Sequence, residues 1–476
     1  MDKPIEPFSA LLAPSWHQVR HQVLNDITVA KMLPWLEAVE VNPKLDRSSL
    51  NDDLDVTFVP MAAVEALSGG IDVSTSRKYA EVKKGYTHFR DGDILFANVT
   101  PCMENGKMVI ARKLVNGVGF GSTEFHVLRP RAGVDARYIY YFVSSQTFRK
   151  EASGHMTGAV GLRRVPSAHL EEQPIPLPGI EQQREIVAEL EKQFSRLDEA
   201  VANLQRVKAN LKRYKASVLK DAVGRRLVPT EAELARREGR SFETGEQLLQ
   251  RILAARQIQW SGRAKYKEAA EADASNLPEL PEGRVWATLG QLTSSVRDGP
   301  HFSPQYADEG VPFISGGNIR PEEIDFSSTK FISPELHAEL SKRCKPEPGD
   351  LLYTKGGTTG IARVNTESRE FNVWVHVAVL KLMESVHPFY LQHALNSPHC
   401  YRQSQKYTHG VGNQDLGLTR MVWITVPLPP YAEQLRIVDE VERRLSLVRG
   451  VEAEVDGNLV RAKNLRQAVL MKYFSC

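Results

Sequence analysis

Cysteine is scarce in this chain. Cys102, Cys344, Cys400 and Cys476 are the four among 476 residues, and they are scattered. No CxxC and no Cys/His ladder at zinc spacing occurs, so neither a disulfide frame nor a structural metal is expected. A reducing cytoplasm is the simple reading. Long hydrophobic runs are also missing: no stretch reaches the roughly 20 apolar residues that a bilayer-spanning helix needs. Pro4 comes early and no long apolar segment follows it, which argues against an export signal. Charge of one sign is missing too. With 61 Lys+Arg against 58 Asp+Glu the net charge is +3, which permits nucleic-acid binding without arguing for it. The 13 histidines show no paired ligand spacing and read as surface or core residues.

What the chain does have is one long amphipathic helix, present twice. Residues 180–224 carry apolar side chains alternately three and four apart: Val187, Leu190, Phe194, Leu197, Val201, Leu204, then Leu211 and Val218. That is a coiled-coil seam, interrupted at Lys208 and Lys215. Pro178 and Gly179 precede it and Gly224 ends it, as helix start and stop signals should. Residues 157–223 align without a gap on 408–474, 251 positions later, with 16 identical pairs in 67. Unrelated sequences of ordinary composition would match at roughly one position in fifteen to twenty. PIPLPGIEQQREIV matches TVPLPPYAEQLRIV. The second seam runs through Val438, Val441, Leu445, Val448, Val455, Leu459, Ala462 and Val469, broken by Glu452 and Arg466. A period near 250 is too long for a solenoid repeat, so a whole module of globular body and helix is duplicated.

The chain divides accordingly. Residues 1–32 have no counterpart and read as an N-terminal extension, partly helical over 19–33. Residues 33–178 form a first body, with strand candidates at 56–64, 91–99, 106–114 and 124–130 and a helix over 135–152 capped by Asp135. The first long helix follows at 179–224. A connector spans 225–282, with a helix over 244–256 and an exposed Ala/Glu- and Pro-containing linker. The second body occupies 283–430 and repeats the same order, and the second long helix fills 431–476. The fold class expected is α+β: two pseudo-symmetric α/β bodies separated by two long antiparallel coiled-coil helices. Duplicated modules tend to pack about a pseudo-two-fold axis, which sets the helices antiparallel. A helix of this length spans about 60 Å at 1.5 Å per residue. Readers of two DNA half-sites need contacts about 34 Å apart or a multiple of that, and such a rod could set the spacing.

The order of these pieces resembles the specificity subunit of type I restriction-modification systems. The resemblance covers nearly the whole chain from Leu33 onward. It is carried by PIPLPGIEQQREIV and VPLPPYAEQLRIV before the long helices, and by GRRLVP, LLQRILAARQIQW, KYKEA and LPELPEGRVWATLGQL in and after the connector. Arg284 stands where such sequences often carry Trp and reads as a surface change without functional weight. The resemblance implies that the two bodies are target-recognition domains, each reading one half of a split double-stranded DNA sequence. It implies a subunit without chemistry or cofactor of its own, in a prokaryotic cytoplasm. Its partners would be two methyltransferase subunits, which methylate adenine N6 with S-adenosylmethionine, and motor-nuclease subunits using ATP and Mg. No membrane partner is implied.

The residues agree that no enzyme is expected here. No Asn/Asp-Pro-Pro-aromatic tetrapeptide is present to hold a flipped adenine, and no glycine fingerprint follows a strand. KGGTTG at 355–360 lacks a P-loop ending and reads as a turn between strands. Glu81-Val82-Lys83 with Asp72 is too common a pattern to carry a nuclease. Phosphate contacts draw on Lys and Arg, and base reading favours Arg, Lys, Asn and Gln in loops. The candidates in the first body are Arg77, Lys78, Lys83, Lys84, Asn105, Lys107, Arg163 and Arg164. Those in the second are Asn318, Arg320, Lys355, Thr358, Thr359, Asn413 and Gln414. Any one of them is more readily a solvated charge or a turn former than a reader. The loops at 157–165 and 408–416 occupy the same place in both copies and differ in side chains, as readers of different half-sites would. Arg206, Lys208, Lys212, Arg213, Lys215, Lys220, Arg225 and Arg226 crowd the end of the first helix, where they could meet DNA, an acidic partner face or only solvent. Two other readings stay open: a coiled-coil scaffold without DNA contact, and a stand-alone nuclease or methylase.

Overall fold

A computed structural model describes residues 32–46, 50–159, 161–224, 227–260, 265–411 and 414–474. The helical part of the N-terminal extension therefore lies outside the described residues, apart from Met32 and Leu33, which begin the strand Met32–Pro34. The chain divides into two compact units, one of Met1–Gln205 with Asp456–Cys476 and one of Arg206–Val455. The long helices stand where the apolar periodicity puts them, at Ile180–Gly224 and Tyr431–Phe474.

Within each unit, early residues of one long helix meet late residues of the other. In the first unit Val187, Leu190 and Phe194 share a core with Leu470, Tyr473 and Phe474. Arg466 bonds Asp198 at 2.6 Å and lies 4.4 Å over the Phe194 ring. In the second unit Val218 and Ala222 share a core with Ile437 and Val441, while Lys215 pairs with Glu452 at 2.7 Å. The pairing is antiparallel in both. Val441, Val448, Val455 and Ala462 are buried at seven-residue spacing, the heptad that a two-helix seam requires. Leu197 is buried as well, whereas Val201, Leu204, Val438, Leu445 and Leu459 are half-buried. Three of the polar interruptions face charge or an aromatic ring: Lys215 meets Glu452, and Arg466 meets Asp198 and Phe194.

The first unit's body holds two four-stranded sheets. One runs Val39–Val41, Phe125–Pro130, Ile94–Ala97, Met108–Ile110; the other runs Ser76–Lys78, Asp55–Val59, Val118–Gly121, Thr87–Arg90. The second unit repeats the first of these as Thr293–Asp298, Val377–Leu382, Leu351–Thr354, Ala362–Val364. Its other sheet orders Lys330–Ile332, Val311–Ile314, Asn372–Val373. In each unit one parallel pair is kept, Asp55–Val59 with Val118–Gly121 and Val311–Ile314 with Asn372–Val373. ILFA at 94–97 and LLYT at 351–354 are buried at every residue, which is why they read as continuous rather than alternating runs.

The sequence repeat before each helix has a structural reason. Tyr138 donates its hydroxyl to the Pro176 carbonyl at 2.5 Å, and Tyr390 does the same to Pro427 at 2.6 Å. The buried Gln183 donates to Pro178 O at 2.8 Å and accepts from the Asp135 amide at 2.9 Å. Gln434 donates to Pro429 O at 3.1 Å and accepts from the His387 amide at 2.9 Å. One glutamine thus ties the approach to each long helix to the body helix beside it.

Two expectations needed revision. The helix over 135–152 is two helices, Ala136–Ser144 and Gln146–Gly154, with Asp135 capping the first as expected. Ser145 is extended and its hydroxyl caps the second, so a serine divides the run. Arg284 is not a surface residue: its side chain is fully buried in an ion pair with Glu433 at 2.7 Å, and it donates to the carbonyls of Ala222 and Val223. A cation there satisfies carbonyls at the C-terminal end of the first long helix, and Glu433 sits in the first turn of the second, so both helix dipoles favour the pair. In the connector, Thr244 caps Gly245–Ile258 with a full capping box, and a second box on Thr230 starts Glu231–Glu238. Among the described residues no helix is long and apolar enough to cross a membrane.

Candidate nucleic-acid interface

Each body brings two exposed loops together at one place. In the first unit the strands Thr157–Ala159 and Leu162–Arg164 form a hairpin paired from Thr157 to Arg164. It is held against the loop that follows Ile94–Ala97: Val165 N donates to Asn98 O at 2.9 Å, and Thr100 N donates to Arg163 O at 3.0 Å. In the second unit Leu416 N donates to Lys355 O at 2.8 Å, and Gly357 N donates to Gln414 O at 3.2 Å. Val165 and Leu416 are equivalent in the repeat, so the same main-chain contact builds both loop pairs.

The candidate residues divide among three settings. Asn105, Arg163 and Arg164 stand exposed around the first loop pair, and Thr358 and Gln414 around the second. Arg164 is held in a bidentate contact with Glu124 at 2.6 and 2.8 Å. That hydrogen bond keeps the Glu124 carboxyl below the ordinary glutamate range and raises the guanidinium. Lys107 donates to Met61 O at 3.0 Å behind the loop.

Lys355, Thr359 and Asn318 are buried and shape the second site from beneath. Lys355 reaches Asp415 at 2.9 Å, Asp298 at 3.4 Å and Val375 O at 3.1 Å. Beside it, burial and the Lys355 charge hold His376 below its usual range. Thr359 shares a hydroxyl contact with Thr408 at 3.0 Å. Asn318 closes its own turn on Ser315 and on Asp325 O, each at 2.9 Å, and Arg320 pairs with Asp325 at 2.8 Å.

Arg77 and Lys78 lie on the edge strand of the other sheet, and Lys83 and Lys84 follow the short helix Tyr79–Val82 after it. Arg77 lies 3.8 Å over the Phe58 ring, Lys78 bonds Asp55 at 3.0 Å, and Lys83 bonds Asp52 at 2.8 Å. Lys84 is exposed. Asn413, Arg225 and Arg226 lie outside the described residues. In the cationic stretch at the end of the first helix, Lys215 is turned into the seam, and Arg213 bonds Asn210.

Glu124, Asp298 and Asp415 were not legible as site residues, because their roles come from partners 40, 57 and 60 positions away. Leu162, 52% exposed, and Val411, fully exposed, bring apolar side chains to the loop tips. Their signal was present in the sequence as an apolar residue beside glycine in each loop.

A body built twice, with matched loop pairs and antiparallel helices, defines a duplicated two-module architecture. The chain belongs to the family described as Type I restriction modification DNA specificity domain, which matches residues 38–212 and 289–452. It is similar to the Type I restriction enzyme EcoAI specificity subunit of Escherichia coli, at 29% identity over 325 residues, covering 59% of this chain and 54% of that relative. The chain thus spans about half the length of that relative. With the Type I restriction enzyme EcoEI specificity subunit of Escherichia coli it shares 25% identity over 460 residues, covering 85% of this chain and 76% of that one. Its fold is shared with a solved chain from work on complex assembly and conformational transition of the type I R-M system, with a TM-score of 0.63, 19% identity, and 94% and 97% of the two chains covered.

Proposed function

We propose that this chain is the DNA-recognition subunit of a type I restriction-modification complex and that each loop pair reads one half of a bipartite target. The long helices set the distance between the halves. The chain itself performs no chemistry. It docks two methyltransferase subunits that use S-adenosylmethionine on adenine N6, and motor-nuclease subunits that use ATP and Mg.

The observation that supports this reading is the pair of loops built on the same main-chain bonds with different side chains. Arg163 and Arg164 occupy the first hairpin, where the second unit has Gln414 and Asp415. A shared frame with different polar tips is what two readers of unlike half-sites need, since base edges are told apart by the donors and acceptors facing them. Phosphate contacts from the surrounding Lys and Arg would position the body without reading sequence.

The test is an exchange of residues 33–178 for the equivalent body of another family member, followed by mapping of N6-methyladenine. One half of the methylated motif should change while the other half and the gap stay. A change in both halves, or in neither, would overturn the reading. A scaffold without DNA contact would add no sequence preference to a gel shift with the methyltransferase partners.

A further inference from the structure

Three metal-ligating side chains converge beside the first hairpin. Glu151 lies on the helix Gln146–Gly154, and His155 follows that helix as its C-cap residue. Four positions apart, they share a face of the turn. His169 arrives from the short helix Ser167–Glu172. The imidazoles of His155 and His169 stack with centroids 4.0 Å apart and planes at 19°. One ligand atom from each of Glu151, His155 and His169 lies within 4.8 Å of the others.

A main-chain contact orients the His155 ring. Nδ1 of His155 donates to the Glu151 carbonyl at 3.0 Å, which leaves Nε2 as its lone-pair nitrogen. Nε2 of Gln173, a donor, stands 3.2 and 3.4 Å from the two ring nitrogens of His169, so that contact gives way when an ion takes the lone pair. A main-chain carbonyl that accepts from one ring nitrogen, as at His155, is how metal-binding histidines have their other nitrogen aimed. Glu151 and His155 are exposed and His169 is half-buried, so water can reach a fourth position.

We propose that Glu151, His155 and His169 form a binding site for a divalent cation of the zinc class. Two imidazole nitrogens and one carboxylate oxygen suit Zn²⁺ and its late first-row neighbours, not Mg²⁺ or Ca²⁺, which take all-oxygen shells. Zinc bonds of 2.0–2.1 Å set tetrahedral ligand atoms about 3.3 Å apart. Because an imidazole binds metal in its own plane, binding requires the exposed His155 ring to tilt out of its stack with His169 while Glu151 swings in. The ligands bracket the hairpin: His155 is two residues before Thr157–Ala159 and His169 five after Leu162–Arg164. A bound ion closes that loop and removes chain freedom from the segment carrying Arg163 and Arg164. Only this last consequence rests on reading the hairpin as a DNA contact.

The test uses the full chain, treated with chelator and then titrated with ZnCl₂ by calorimetry and with CoCl₂ by visible absorption. Wild type should take up one more ion per chain than His155→Ala/His169→Ala, and Co²⁺ should show tetrahedral absorption in wild type alone. Hydrogen exchange of residues 155–169 should slow with Zn²⁺ in wild type and not in the double variant. Circular dichroism checks folding, and His169→Gln alone serves if the double variant unfolds. Equal uptake in wild type and variant overturns the site, and uptake without slower exchange overturns the closing of the hairpin. No DNA is present, so this result stands or falls apart from the proposed recognition function.

Discussion

The buried pair of Arg284 and Glu433 allows a sharp test of what holds the second unit together. Both side chains are fully buried and 2.7 Å apart. Glu433 also accepts the Glu231 amide at 2.7 Å, and Arg284 reaches Val223 O at 3.2 Å. Glu433→Ala leaves a buried guanidinium without its counter-charge, and Arg284→Ala leaves a buried carboxylate with one backbone donor. Removing one partner of such a pair costs about 3–5 kcal/mol. Replacing both by Met removes both charges, fills most of the volume, and should cost less than either single change. A chain of two compact units need not unfold in one two-state step, so a single melting temperature is the wrong readout. Native-state hydrogen exchange of peptides covering 285–288 and 431–441 is the right one. At about 1.4 kcal/mol per factor of ten, each alanine variant should speed exchange there by roughly 10² to 10³-fold. Exchange changed by less than tenfold in both single variants, or a double Met variant that speeds exchange as much as either single change, would refute the reasoning.

Other outcomes follow from the same structure. Burial pushes the Cys344 and Cys400 thiols up to about 12, so at pH 8 iodoacetamide should label half-buried Cys102 well before either; peptide mass spectrometry checks the order. Lys215→Glu should weaken helix pairing by about 1 kcal/mol, because its partner Glu452 is partly exposed, and Glu452→Lys in the same chain should restore it; failure of the swap to restore exchange protection would contradict the pairing. The Arg164 hydrogen bond depresses the Glu124 carboxyl from 4.5, so this contact is fully present above that pH and is lost as pH falls through the lowered value. The side-chain ¹⁵N resonance of Arg164 should therefore hold steady from pH 7 to 4.5 and move only below it; movement already at pH 6 would contradict the contact.

Much of the fold was legible because its signals are local and long. Both long helices follow from a seam of three-four spacing between Pro/Gly punctuation, and the duplication follows from a gapless alignment. Asp135 and Thr244 cap helices because their side chains reach amides two or three residues on. What was not legible depends on distant partners. Arg284 looked like a surface substitution because Glu433, 149 positions away, is invisible to local pattern. The burial of Lys355, 4% exposed, was out of reach for the same reason, since Asp298 and Asp415 arrive from other strands and loops. Short strands such as Ser76–Lys78 and Thr87–Arg90 were missed, since three or four residues carry little periodicity. Which cations stay exposed and which are taken up in pairs is settled by tertiary packing, not by composition.

The bonds made by Gln183 and Gln434 have an evolutionary corollary. Each glutamine grips main-chain atoms, a proline carbonyl and one amide, so the coupling between body and strut is indifferent to whatever decorates the loop tips. Loop sequence can drift without loosening that socket. Substitutions at the loop tips therefore leave the seating of each long helix against its own body unchanged.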